Sequence, residues 1–237
     1  IGSYMHYWVQ ETIDTLAPLA NIENSSTMKS YMRDQFEFYG IQSVPRRAAM
    51  KKLFTRDKLP PTEDLSIVIH ELWTLLEREF QMVAVDLLIT LKKQLPTSIL
   101  IDLEYLITTK SWWDTVDLLA THIVGSLFVR YPIESIQYIE RWQYSDSIWL
   151  RRTTLLYQLK YKTNTDTKRL FSLIKQNQFD NQFFIQKAIG WALREYSKTD
   201  ANAVINFINT HNIQGLAKRE GLKWLKNNRE NIKTIPH

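Results

Sequence analysis

Apolar residues recur along this chain in runs of helical length, and no two alternating segments are joined by a hairpin dipeptide, so the pattern predicts helices rather than strands. Six glycines and seven prolines punctuate the runs. A first helix is expected over 7–19. A second is expected from Ser26 or Thr27, carrying Tyr31, Phe36 and Phe38 and stopped by Gly40, with another starting at Ser43-Val44-Pro45. After the break at Pro60-Pro61-Thr62, 64–75 and 77–91 form an expected pair, and Pro96, Pro132 and Ser145-Asp146-Ser147 separate later ones.

These helices also read as copies. Arg78-Glu79-Phe80-Gln81-Met82, Trp113-Asp114-Thr115-Val116-Asp117, Trp149-Leu150-Arg151-Arg152 and Phe184-Ile185-Gln186-Lys187 each open the second helix of a pair. Met82, Asp117, Arg152 and Lys187 follow one another at intervals of 35 residues. Leu216-Ala217-Lys218-Arg219 is a fifth copy after a slightly shorter interval. Helix pairs repeating at such a period cover their apolar faces only by stacking on their neighbours, which predicts an all-α solenoid. In it, Asp117, Arg152 and Lys187 become neighbours on one surface, with Trp191 one turn beyond Lys187. Trp149 shares that face or dips into the core.

Length and composition change the picture little. The 237 residues suffice for one large domain, expected over 5–237, with Ile1-Gly2-Ser3-Tyr4 read as a leftover of expression. No apolar run approaches the ~18 residues of a spanning helix, and Met5-His6-Tyr7-Trp8 lacks the features of a secretory signal, so an intracellular protein with no membrane association is expected. The absence of cysteine removes thiol nucleophiles, disulfides and sulfur-ligated metals. The five scattered histidines have no metal-type spacing, so neither metal nor cofactor is expected. The net charge of +5, with basic residues grouped as Arg46-Arg47, Arg151-Arg152, Lys160 and Lys162, Lys187 and Arg194, and Lys218-Arg219, suits a polyanionic partner.

The most unusual stretch is Lys110-Ser111-Trp112-Trp113-Asp114-Thr115-Val116-Asp117. Trp113 and Asp117 are four apart and share a helix face, which pairs an aromatic plane with an anion and suits a flat cation. The same residues also fit a plainer arrangement, in which the tryptophans pack and Asp117 pairs with Arg152 to stitch adjacent repeats.

That stretch, together with Ile148-Trp149-Leu150-Arg151-Arg152, the run from Phe183 to Tyr196, and Tyr39-Gly40-Ile41-Gln42, closely resembles the AlkD-like branch of the DNA alkylation repair glycosylases, over nearly the whole chain from Met5. The resemblance implies HEAT-like repeats whose concave basic face grips duplex DNA. It also implies hydrolysis of the N-glycosidic bond of cationic purines such as N3-alkyladenine and N7-alkylguanine, without enclosing the base in a pocket. The family's active-surface tryptophan, aspartate and arginine fall on Trp113, Asp117 and Arg152, its further DNA-facing tryptophan on Trp191, and a lesion-proximal tyrosine on Tyr31. On this reading Asp117 stabilises positive charge on the sugar or positions water, and Arg152 holds a flanking phosphate. Arg47, Lys160, Lys162, Lys187, Arg194, Lys218 and Arg219 supply phosphate contacts. No lysine in the Asp117 motif suggests a Schiff base, so a monofunctional enzyme leaving an abasic site is expected; a solenoid with a DNA groove needs no partner subunit, so a monomer is expected. The rival reading is a non-catalytic HEAT-type scaffold for duplex nucleic acid or an acidic protein.

Overall fold

A computed structural model describes residues 4–228. The expected leftover at Ile1-Gly2-Ser3, His237 and the last residues of the expected domain lie outside that range. Among the described residues there is no strand, only an isolated bridge between Glu37 and Glu77. No described helix is long and apolar enough to cross a membrane. The chain forms two compact units, divided after Lys110.

The first unit begins with α1 (Tyr7–Leu16), capped by the His6 ring accepting from the Trp8 amide at 3.1 Å. Its buried stripe is Trp8, Val9, Thr12 and Leu16. A short tight turn over 17–19 leads to α2 (Ile22–Tyr31), which starts at Asn21, earlier than its sequence suggests, and buries nothing. It also ends earlier than expected. Arg33 and Asp34 both adopt left-handed backbone (φ 57°), so Phe36 and Phe38 belong to an extended segment instead of a helix. There Phe36 lies under the Arg78 guanidinium, 3.6 Å from the ring centroid, a contact that local periodicity cannot reveal.

The first unit continues with α3 (Ser43–Met50), α4 (Leu65–Thr74), α5 (Arg78–Leu91) and α6 (Ile99–Thr108). In α4 the buried positions Leu65, Val68, Ile69, Leu72 and Trp73 make one helical stripe, each side chain contributing ~1.5–3 kcal/mol by leaving water.

A buried carboxylate organises this unit. Glu79, in the first turn of α5 and 1% exposed, accepts the amide of Tyr39 at 3.0 Å and those of Gly40 and Ile41 at 2.9 Å each. The Tyr39-Gly40-Ile41 stretch wraps round it because Gly40 adopts φ 96° and leaves no room for a side chain, a Cβ there coming 2.1 Å from the Asn21 carbonyl oxygen. The positive end of α5 favours the charge further.

The second unit opens with α7 (Trp113–Leu118), which runs through a wide π turn over Leu119–Val124 into α8 (Gly125–Arg130). Then follow α9 (Pro132–Trp142), α10 (Ile148–Leu156), α11 (Thr167–Asn177), α12 (Phe183–Ser197), α13 (Ala201–Thr210), α14 (Gly215–Gly221) and α15 (Lys223–Asn227). Ser147, Asp166 and Asp200 begin α10, α11 and α13 by accepting a backbone amide three residues on, the N-cap signal. Helices α7, α10, α12 and α14 pack in that order as one layer, with α9, α11 and α13 as the other. This is the expected stacking of helical repeats, and it brings the 35-residue register to one side of the layer.

Replacing Glu79 by alanine strands three amide donors in the interior, each costing about 1–3 kcal/mol. Chemical denaturation of Glu79→Ala is therefore expected to show a loss on the order of 3 kcal/mol or more, whereas Tyr39→Phe stays within about 1 kcal/mol of the native chain.

Candidate functional site

The site sits on the first layer of the second unit. Trp112 is extended (φ −158°) and precedes α7, so the two adjacent indoles separate. Trp112 turns into an aromatic cluster, 5.9 Å from Trp149 and 5.2 Å from Phe184 between ring centroids, while Trp113 begins the helix and faces a cleft. Trp149 completes that cluster with Phe184 at 4.9 Å and is half-buried, so it packs behind the site instead of lining it.

The cleft encloses about 350 Å³ and is lined by Trp113, Asp117, Arg152, Phe183, Phe184, Lys187, Trp191, Arg194 and Glu220. Its size is at the small end of ligand-binding clefts, roughly 300–1,000 Å³. Asp117 is one turn from Trp113 and partly exposed, with 15% of its side chain accessible. Arg152 holds it at two points, Nε donating to Oδ1 at 2.8 Å and Nη2 to Oδ2 at 3.0 Å. The remaining guanidinium nitrogen, Nη1, donates to the Phe184 carbonyl oxygen, and only 5% of the arginine side chain is accessible. Arg152 thus joins α7 to α12 across α10, and its planar fork is directed at a carboxylate.

Two opposed effects set the acidity of Asp117. Burial raises its pKa above the ordinary 3.8 and is the larger effect; the bonds and charge of Arg152 pull it back down, and the neighbouring Asp114 adds to the rise. The carboxylate is therefore poised above the usual aspartate range while fixed in a single orientation.

On the far side of the cleft, α12 presents Lys187, Trp191 and Arg194 along one stripe, spaced by about one turn each. The carboxylate of Glu220 on α14 accepts from Lys187 Nζ at 3.0 Å and from Arg194 Nη1 at 3.3 Å. Helices α12 and α14 meet closely at Gly190, where a Cβ would come 2.5 Å from that of Glu220.

The structure thus gathers Trp113, Asp117, Arg152, Lys187, Trp191 and Arg194 in one cleft. The other residues singled out in the sequence lie elsewhere. Tyr31, 70% exposed at the end of α2, and Arg47, exposed and 3.6 Å from Asp86, belong to the first unit. Lys160 is exposed with its amine against the His122 ring, Lys162 sits on a short turn with φ 51°, and Lys218 and Arg219 are on α14 outside the cleft lining. Sequence reasoning overlooked Phe183, Phe184 and Glu220 as lining residues. Phe184, 35 residues after Trp149, and Glu220, 33 after Lys187, both fall at or near the repeat interval, whereas Phe183 carries no such signal.

The family model described as DNA alkylation repair enzyme matches residues 12–225. A solved structure from Enterococcus faecalis, described as a predicted DNA alkylation repair enzyme, superposes with a TM-score of 0.81 at 33% identity, covering 86% of this chain and 96% of that one. A search of curated proteins found no match. The chain belongs to the DNA alkylation repair enzyme family.

Proposed function

We propose that this member of the family is a monofunctional DNA glycosylase that releases cationic alkylated purines, N3-alkyladenine and N7-alkylguanine, from duplex DNA. The observation that carries the reading is a partly exposed carboxylate, Asp117, clamped at two points by a buried guanidinium and flanked in one cleft by Trp113 and Trp191. A site built to receive a neutral ligand has little use for this combination. One built for a developing cation uses each part.

The chemistry follows from the substrate. Alkylation at a ring nitrogen leaves the base positively charged, so the electron pair of the breaking C1′–N bond neutralises the base as it departs. Little general acid is needed. The positive charge then resides on the sugar, where a fixed carboxylate lowers the barrier electrostatically. Water adds its oxygen at C1′ and loses a proton, leaving an abasic site and the free base. Asp117 faces the sugar cation and orients that water; the π faces of Trp113 and Trp191 favour the positive centre.

The part assigned to Arg152 shifts from its sequence reading. A phosphate would have to compete with Asp117 and the Phe184 carbonyl for its donors, so its role is to position Asp117. Backbone phosphates fall instead to Lys187, Arg194, Arg47, Lys160, Lys162, Lys218 and Arg219, which set affinity and not sequence preference, while Tyr31 keeps its lesion-proximal part.

The decisive experiment incubates the protein with duplex containing N7-methylguanine and measures released base. Release by the native chain that Asp117→Asn slows by about 10²–10³-fold is expected, the scale of losing one electrostatic group at the reacting centre. No release by the native chain would favour a non-catalytic scaffold, and undiminished release by Asp117→Asn would take that residue out of the mechanism.

Catalysis needs Asp117 ionised, so the release rate should fall as pH drops through a pKa above 3.8. Removing the guanidinium takes away what lowers that pKa, so in Arg152→Met the acid limb of the single-turnover pH profile should move to higher pH. The same variant leaves a carboxylate unpaired beneath the cleft, at a cost of about 3–5 kcal/mol near neutral pH by thermal or chemical denaturation. Protonation of Asp117 relieves that cost, so the deficit should shrink on acidification.

A further inference from the structure

The two cations that α12 contributes to the cleft are already engaged by an acid. Lys187 and Arg194 are seven residues apart, two helical turns, and project from the same face with Trp191 between them. Glu220 spans the pair, one carboxylate oxygen to each. Its side chain is 16% exposed, and the absence of a Cβ at Gly190 lets α14 come close enough to insert it. The Lys187 hydrogen bond first, then the charges of Lys187, Lys223 and Arg194, hold its pKa below the ordinary 4.5 against the opposing effect of burial, so it is an anion at neutral pH. A surface shaped only to attract a polyanion gains nothing from an anion between its cations. Discrimination between two kinds of polyanion does.

We propose that Glu220 is a specificity-determining residue that occupies Lys187 and Arg194 as an internal substitute for DNA phosphate. This rests on the DNA-engaging reading of the cleft. Carboxylate and phosphodiester offer the same singly charged oxygens to lysine and arginine, so a backbone phosphate that takes either cation exchanges one anion for another. Glu220 is then left facing a like charge. Undamaged duplex gains little from that exchange. A duplex that also sets a cationic nucleotide against Asp117, Trp113 and Trp191 gains more and pushes the exchange forward.

The test compares the native chain with Glu220→Gln, which keeps the shape and removes the charge, and Glu220→Asp, which keeps the charge. Binding to undamaged duplex is measured by fluorescence anisotropy across a salt series, with single-turnover release of N7-methylguanine in the presence of undamaged competitor, and thermal melting of each variant. Glu220→Gln is expected to bind undamaged duplex several-fold more tightly. Its plot of log affinity against log salt should be steeper by up to about 1.8, two phosphates at ~0.9 each. That amounts to about a tenfold greater loss of affinity between 50 and 200 mM salt. Its release reaction should be more easily inhibited by competitor, while Glu220→Asp stays near the native chain in all three. Salt-dependent binding by the native chain with an unchanged slope in a folded Glu220→Gln overturns the proposal alone; native binding that ignores salt overturns the DNA-engaging reading with it. Should Glu220→Gln melt below the assay temperature, Lys187→Met in the native background decides. A drop in slope well under 0.9 supports a cation already occupied, and a full 0.9 refutes it.

Discussion

The second unit depends on a two-point bond between groups 35 residues apart. Arg152 is too buried to be left without a partner, and Asp117 supplies one while keeping part of its carboxylate exposed in the cleft. Stability alone does not explain such a pair, because replacing both members with apolar groups of similar volume is often neutral or favourable. Its distinctive product is placement. A carboxylate on α7 is held rigid by an arginine on α10 whose remaining donor is fixed by a carbonyl on α12, so three repeats must be in register before the anion points into the cleft.

The same device recurs with different chemistry. The Trp73 indole nitrogen donates to the Thr109 carbonyl, Arg78 to that of Lys110, Arg152 to that of Phe184 and the Gln178 amide to that of His211, each about one repeat along the chain. The carbonyls of Thr109, Lys110 and His211 lie at or just beyond a helix C-terminus, where water would otherwise have to satisfy them, and each is met by a side chain of the preceding repeat. Glu79 runs the other way, collecting three amides from the loop before it. Stacked helix pairs need their apolar faces matched. They equally need their loops capped, and here side chains of a neighbouring repeat do it.

This division explains what could be read from the chain before its structure was known. Helix pairs were legible because burial on one face writes itself at three- and four-residue spacing, as in Leu65, Val68, Ile69, Leu72 and Trp73. The alignment of Asp117 with Arg152 was legible because equal repeat length carries equivalent positions to the same surface. Two things were hidden. The end of α2 depends on left-handed backbone at Arg33 and Asp34, residues with no strong signal for it, and on a distant guanidinium over Phe36. The direction of Arg152 was also hidden, since its type and position serve a phosphate or a carboxylate equally well; only coordinates show that all three of its nitrogens point into the protein. Glu220 escaped notice because an acid in a basic stretch reads as ordinary surface relief.

The wide turn over Leu119–Val124 bears on how this chain tolerates change. With its i→i+5 bonding the turn already carries about one residue more than an α turn, so inserting a further residue would swing α8 by about 100°, more than a quarter revolution, relative to Asp117. Gly125 would then leave the Tyr157 carbonyl, against which it has no space for even a methyl group, and its own carbonyl would lose the Tyr161 hydroxyl. Substitutions in this segment test only local packing. Insertions would shift the entire phase between Asp117 and the scaffold behind it, and for that reason lineages of this protein should resist lengthening of 119–124 more strictly than changes in its composition.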